Sequence, residues 1–509
     1  MLTKPGRTKS GSLSIPSRSK ILAPQQQKKP LIPPVDQSPS QIDLDADKQP
    51  ISDLPMPPFQ VVSFRHGQAG DLIPLPSLST APNGEIPQLT YQKVKQCMRI
   101  CDFSDPNTDV VSKETKRVTL NELIDVYSNT KIIPRLTREC HASVIEMFAT
   151  NVFRPMPNIP RAVLMSDDIT FEDSAWPHLN LIYILFLKFL EANIDQRILQ
   201  YQLSPKFISQ LFAVLEFPDE RERSQAKAVI AAIFNKVPPQ RPLLRFITTS
   251  IISGVPEGVS FNATGHLLEL YYLFNSQTLP PLAPAQIQSF ERVILPLHLL
   301  SGLKAYHGQL VRCVLLMVRK DARLCPTLLK FLVTHWPLTL DQKSELFIDE
   351  VGQVIEEMLP ADLRTVMGSL LECITFAAES PSMTLAEKAL NFLKNERIKN
   401  AITENPNELM SMIFPTLFRV AREHWHKNVQ LIALQVMNRM MELNPVAFKA
   451  SANEFKQKTM VEGTKKEKKK ILWQKVASKA IKNDNTIDEA SVQGDMVAYF
   501  GYSDYNYNS

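Results

Sequence analysis

The residues that could do chemistry in this 509-residue chain are nine histidines, six cysteines and a run of lysines toward the C-terminal end. A metal or nucleophilic centre needs such side chains to converge, and their spacing does not bring them together. His424 and His426, in "REHWHKN", stand two apart on an expected helix, so they face different ways. They read as surface or packing histidines rather than ligands. Cys97 and Cys101 are one helical turn apart, the wrong spacing for a zinc CxxC knuckle. With Cys140, Cys313, Cys325 and Cys373 they read as reduced, buried thiols. HExxH, GxSxG and HRDxxxxN patterns are all missing, as are GxGxxG and GxxxxGK[ST]. Only 15 glycines are present, too few where backbone must approach phosphate closely. "DERER" at 219–223 and the pair Glu356 and Glu357 read as solvated helix turns. The expectation is a protein with no active site, no metal and no cofactor.

The lysine run is Lys465, Lys466, Lys468, Lys469 and Lys470, in "KKEKKK". It leaves three readings open: a nuclear-import signal, a patch for nucleic acid or acidic lipid, or a solubilising end. Ten lysines and two glutamates between Lys456 and Lys482 make that stretch +8, against +5 for the whole chain. The remainder is therefore −3, a mildly acidic body with a basic end. Basic residues are not interleaved with aromatics, so no specific nucleic acid is expected as a partner. The expected location is the cytoplasm, with the nucleus added if the lysine run acts as an import signal.

The elements that carry these residues are helices. Residues 1–58 hold eleven prolines and no aromatic residue, which predicts a disordered tail. From Phe59 to about residue 455, amphipathic segments of 10–16 residues follow one another, with no convincing strand alternation. "SAWPHLNLIYILFLKFLE" (174–191) is the most apolar. Ser174 is a candidate cap and Pro177 sits where its missing N–H costs nothing. It is too short and too polar for a membrane span, and none is expected in the chain. The prolines Pro177, Pro218, Pro256, Pro296, Pro337, Pro381 and Pro415 are separated by 41, 38, 40, 41, 44 and 34 residues. That spacing suits HEAT or armadillo repeats of roughly 40–47 residues. The predicted fold is all-α: a HEAT-like helical-repeat solenoid of about eight helix hairpins over 59–455. A basic helix over 456–482 follows it, with Ile471, Leu472, Val476 and Ala480 on one face, and then a disordered tail over 483–509. Inside such a stack a helix meets protein on most sides, which explains the apolar segment 174–191.

Longer blocks go beyond fold. "FEDSAWPHLNLIYILFLKFLE" resembles a segment of the B-prime regulatory subunits of protein phosphatase 2A. So do "VIEMFATNVFR", "PDERER", "VILPLHLLSGLKAYHGQLVRCV", "AEKALNFLKNERI", "IFPTLFRVAREHWHKNVQ" and "ILWQKV", in order from about Phe64 to Lys482. The resemblance implies a non-catalytic regulatory subunit that docks on the phosphatase scaffold and catalytic subunits. It also implies recognition of substrate proteins through short linear motifs of the form LxxIxE. The alternative is a HEAT-repeat adaptor that no longer assembles with the phosphatase. An independent enzyme would need a titratable cluster, and none is visible.

The family's motif groove is altered here. The positions matching its His-Arg pair and the following Tyr are Ala231, Ala232 and Phe234, while its groove Arg is kept as Arg241. Glu269 is kept, the apolar wall becomes Leu270 and Phe274, and a Lys and a His become Ala283 and Gln286. Lost cations remove donors for an acidic ligand. The groove is expected to keep its apolar part, with standard acidic-motif recognition weakened, shifted or lost.

Overall fold

The computed structural model describes residues 59–483 except 65, 69, 158, 160–169 and 258–262. The tails expected to be disordered, 1–58 and 483–509, lie outside the described residues except for Asn483, the last residue of the final helix. Nineteen α-helices are described, beginning with α1 (Ile86–Gln96), α2 (Val110–Ser128), α3 (Arg138–Val152), α4 (Trp176–Glu191) and α5 (Gln196–Gln202). Next come α6 (Pro205–Ala213), α7 (Glu220–Lys236), α8 (Arg241–Gly254), α9 (Thr264–Ser276) and α10 (Pro284–Ser289). Then follow α11 (His307–Lys320), α12 (Leu324–Thr334), α13 (Asp341–Glu357), α14 (Pro360–Ala378) and α15 (Met383–Phe392). The last are α16 (Glu396–Glu404), α17 (Pro406–Glu423), α18 (Lys427–Leu443) and α19 (Pro445–Asn483). One pair of short parallel strands, β1 (Phe59–Val61) and β2 (Phe171–Asp173), is an addition the sequence did not announce.

Local signals set the helix starts. Proline occupies the first turn of α1, α4, α6, α8, α10, α14 and α17, where no N–H is needed. Thr137, Ser204, Asp219 and Asn395 cap α3, α6, α7 and α16 through their side chains. Ser174 does not cap α4. Ala175 holds that position, and its N–H donates to Asp173 Oδ1 at 2.9 Å.

Packing sorts the helices into two layers. In one, α2, α4, α7, α9, α11, α13, α15 and α18 lie side by side in chain order. In the other run α3, α5 with α6, α8, α10, α12, α14, α17 and α19. That is eight hairpins, with α1 packed on α3. From α4 onward the first-layer helices start 44, 44, 43, 34, 42 and 44 residues apart. The repeat is therefore real, but the prolines did not mark one position in it. Pro415 sits inside α17 and Pro177 inside the first turn of α4, whereas Pro218, Pro337 and Pro381 are in turns.

The same period appears in the bonds between repeats. Arg319 Nε donates to Glu357 at 2.8 Å, Asn395 Nδ2 to Glu356 at 3.0 Å, and Trp425 Nε1 to Pro381 O at 2.8 Å. Each spans about one repeat, as nearest-neighbour stacking requires. The pair Glu356 and Glu357 thus bridges to the next and the previous repeat, instead of only facing water.

α4 shows why one helix can be apolar nearly all round. It lies between α2 and α7 with α3 behind, and no residue from His178 to Leu190 is exposed. Phe186 stacks on Phe148 with centroids 4.0 Å apart, and Tyr183 meets the same ring edge-on. Each such fully buried side chain contributes about 1.5–3 kcal/mol.

Candidate motif-binding cleft

The site is built from the start of α7, where "DERER" turns out to be an anchor. Asp219 and Glu222 are buried, contrary to a solvated reading. Arg154 reaches Glu222 with two nitrogens, at 2.7 and 2.6 Å, and Asp173 at 3.0 Å. Tyr183 Oη donates to Glu222 at 3.3 Å, and Asp219 Oδ2 accepts the Asp173 N–H at 2.9 Å. Burial alone would lower the Arg154 pKa, but Glu222 and Asp173 outweigh it and hold it raised. This network fixes where α7 begins, and so where its far end lies.

That far end carries Ala231, Ala232 and Phe234. Phe234 is fully buried and stacks on Phe274 of α9, centroids 4.1 Å apart. Two guanidiniums flank the Phe234 ring, Arg241 at 5.2 Å and Arg245 at 5.3 Å from its centroid. Both are already engaged with main chain: Arg241 Nε donates to Phe234 O at 2.8 Å, and Arg245 Nη2 to Phe274 O at 3.0 Å. Burial, and then the neighbouring Arg241, lowers the Arg245 pKa. Glu269 is paired with Lys227. At the start of α10, the N–H of Ala283, the residue before it, donates to Gln286 Oε1 at 3.0 Å, and Gln286 Nε2 donates to Asn275 Oδ1 at 3.3 Å.

A cleft of about 470 Å³ opens between α8, α9 and α10. Tyr271, Phe274, Arg245, Thr248 and Gln286 line it, with Phe246 standing 70% exposed. Of the residues singled out in the sequence, the structure brings Phe274 and Gln286 to this cleft. Phe234 and Leu270 are buried in the core, and Ala231 and Ala232 are half-buried against it. Arg245, Phe246 and Tyr271, which the sequence reading did not single out, also line it. Phe246 had a signal: it is the one aromatic residue in the α8 segment "RPLLRFITTSIISG". The cleft can accept an apolar side chain, but the one cation in its described lining, Arg245, is already bonded to Phe274 O.

The model of the protein phosphatase 2A regulatory B subunit (B56 family) matches residues 75–480, from just ahead of α1 to within α19. The chain belongs to the B56 family. The 56 kDa regulatory subunit alpha isoform of serine/threonine-protein phosphatase 2A from Homo sapiens is 30% identical over 420 residues, covering 82% of this chain and 86% of that one. The regulatory subunit pptr-1 from Caenorhabditis elegans is 31% identical over 412 residues, covering 80% and 76%. The delta 1 isoform from Schizosaccharomyces pombe is 30% identical over 384 residues, covering 74% and 70%.

This B56 family member carries its remaining chemistry-bearing residues as structure. Cys97, Cys101, Cys140, Cys313 and Cys325 are buried, and Cys373 is half-buried. His424 and His426 are not on a helix; they frame the turn between α17 and α18, where buried His424 Nε2 meets Ser380 O at 3.2 Å. Among the described residues no group of three His, Cys, Asp or Glu side chains could hold a metal. No described helix is long and apolar enough to cross a membrane. Lys465, Lys466, Lys468, Lys469 and Lys470 lie in α19, one unbroken helix from Pro445 to Asn483.

Proposed function

We propose that this chain joins the scaffold and catalytic subunits of protein phosphatase 2A as their regulatory subunit and directs the Ser/Thr phosphatase to substrate proteins. The observation that carries this reading is the extent of the family match, residues 75–480, which takes in every hairpin of the solenoid. The chain supplies shape and recognition; the catalytic partner supplies the reaction. Mixing the purified protein with scaffold and catalytic subunits is expected to give a 1:1:1 complex on size exclusion. A folded, helical protein that elutes alone would sink this reading and leave a solenoid adaptor.

Substrate proteins are recognised, on this reading, through short linear motifs at the cleft between α8, α9 and α10. The apolar floor comes from Tyr271 and Phe274; Gln286, which lines the α10 side, and Ala283, the residue before α10, stand where the resemblance places cations. Each charge-assisted hydrogen bond lost is worth about 1.5–3 kcal/mol. A peptide of LxxIxE form is therefore expected to bind about 100-fold more weakly than to a subunit with those cations. Ala283→Lys should regain about ten-fold in a fluorescence-anisotropy titration. Tight binding to the unaltered protein, unaffected by Ala283→Lys, would show that other donors serve the acid.

A further inference from the structure

α19 begins as a member of the stack and leaves it. Ala447 and Ser451 are buried, and Phe455 meets the rings of Phe414 at 5.9 Å and Phe418 at 5.4 Å. From Lys456 to Asn483 no described side chain is buried, although the helix continues unbroken. About 40 Å of helix thus stands clear of the second layer. Its ten lysines and two glutamates give +8, and it contains no arginine.

The apolar residues on this segment are open to solvent. Leu472 is 61% exposed, Val476 57% and Trp473 51%. Leu472, Val476 and Ala480 fall at i, i+4 and i+8, so they form one stripe, with Trp473 beside it. Lys465 lies seven and eleven residues before Leu472 and Val476, which puts it on the same face. Lys479, seven residues after Leu472, shares that face, and Lys475 and Lys482 flank it. One side of the helix therefore carries lysine in its first half and an apolar stripe edged by lysine in its second.

We propose that residues 456–483 of α19 bind the surface of an anionic lipid bilayer, lying in its headgroup plane. An interfacial helix has this make-up: lysines for anionic headgroups, and Trp and Leu for the acyl boundary. A nucleic-acid backbone would satisfy the lysines but give the exposed stripe nothing to cover it. Lysine without arginine also suits a diffuse charged surface better than bidentate recognition of individual phosphates. The three-turn stripe is too short for a coiled-coil seam, which needs several heptads. A single helix of this kind holds reversibly, so the attachment adds to phosphatase targeting without fixing the protein in place.

The test is flotation of the full-length protein with vesicles of phosphatidylcholine, alone or with about 30 mol% phosphatidylserine. At least ten-fold more protein should float with phosphatidylserine, and added salt should release it. Each lysine near the surface is worth about five-fold, so Lys465→Gln, Lys466→Gln and Lys468→Gln together should cost about 100-fold. Leu472→Gln with Val476→Gln should cost ten-fold or more, and emission from Trp473 should shift to the blue, a shift absent in Trp473→Phe. These positions pack on nothing in the stack, so circular dichroism should be unchanged in every variant. Equal flotation with both vesicles, or none with either, would overturn the proposal. So would release by the lysine variant with no effect of Leu472→Gln and Val476→Gln, or polyuridine binding as tight as vesicle binding with Trp473 emission unmoved.

Discussion

Arg154→Ala is expected to lower stability by about 3–5 kcal/mol, the range for stripping one partner from a buried ion pair. The Arg154 side chain is 4% exposed, Glu222 1% and Asp173 2%, so removing the cation leaves two carboxylates without water or counter-charge. Arg154 stacks over Phe217 at 4.6 Å and over Phe64 at 5.4 Å, so packing is lost as well. The damage should be local first. Asp173 accepts from Ser63 Oγ and belongs to β2, which pairs with β1, so the network clips the start of the solenoid onto α4 and α7. In a stack that depends on neighbour contacts, loosening that clip should expose the first repeats to protease before the later ones. Urea unfolding and limited proteolysis with mapping of the first cut read both effects. Arg154→Met combined with Glu222→Gln should cost less than Arg154→Ala alone, because one carboxylate, Asp173, is left stranded instead of two. If the double variant is the worse of the two, packing and not stranded charge governs this centre.

The helical class and the repeat were legible because they depend on local patterns. Apolar residues at three- and four-residue spacing gave the helices, and the apolar run at 174–191 could be explained only by protein on most sides. Proline spacing gave the right period for a wrong reason: prolines start helices, fill turns and, at Pro415, sit inside α17, so equal spacing did not mean equal position. Charged residues were read least well. "DERER" has the composition of a solvated turn, and only Arg154, 68 residues earlier, makes Glu222 a core residue. The cleft was half legible for the same reason. Phe234 looked like a groove residue by alignment, but its stacking on Phe274 takes it into the core. Arg245 and Phe246 reach the cleft through the rotation of α8, which no sequence spacing states. Short-range pattern fixes the element; long-range partners fix which face of it is used.

A second buried charge centre should make stability depend on pH. Glu350, in the middle of α13, accepts His298 Nε2 on one oxygen and His307 Nε2 on the other, each at 3.0 Å. His298 Nδ1 faces Leu295 O at 2.8 Å, so both of its ring nitrogens face acceptors and the ring is held as imidazolium. Burial alone would lower the His298 pKa; Glu350 and the Leu295 carbonyl outweigh it, while Lys343 opposes weakly, and the result is raised. Burial alone would raise Glu350, but His298 and His307 hold it down at about 2. The signs follow from linkage. The raised His298 stabilises fully below its unfolded pKa of about 6.5, and this is lost as pH climbs through the folded value. The depressed Glu350 stabilises fully above about 4.5, and this is lost as pH falls toward 2. The centre therefore contributes most between those limits, and its alkaline loss falls within a convenient range. Unfolding midpoints in urea should fall from pH 6 to pH 9 in the parent protein. Glu350→Gln should cost about 3–5 kcal/mol at pH 6 and flatten that dependence, because a neutral partner no longer holds the His298 proton. His298→Gln should flatten it too. Parallel pH curves for the parent and Glu350→Gln would mean that the proton is not held by this pair. The loss should also appear where the pair sits: residues 295–299 lead into α11, and α11 packs on α13, so amide exchange in these two helices should rise from pH 6 to pH 9 ahead of α4 and α7.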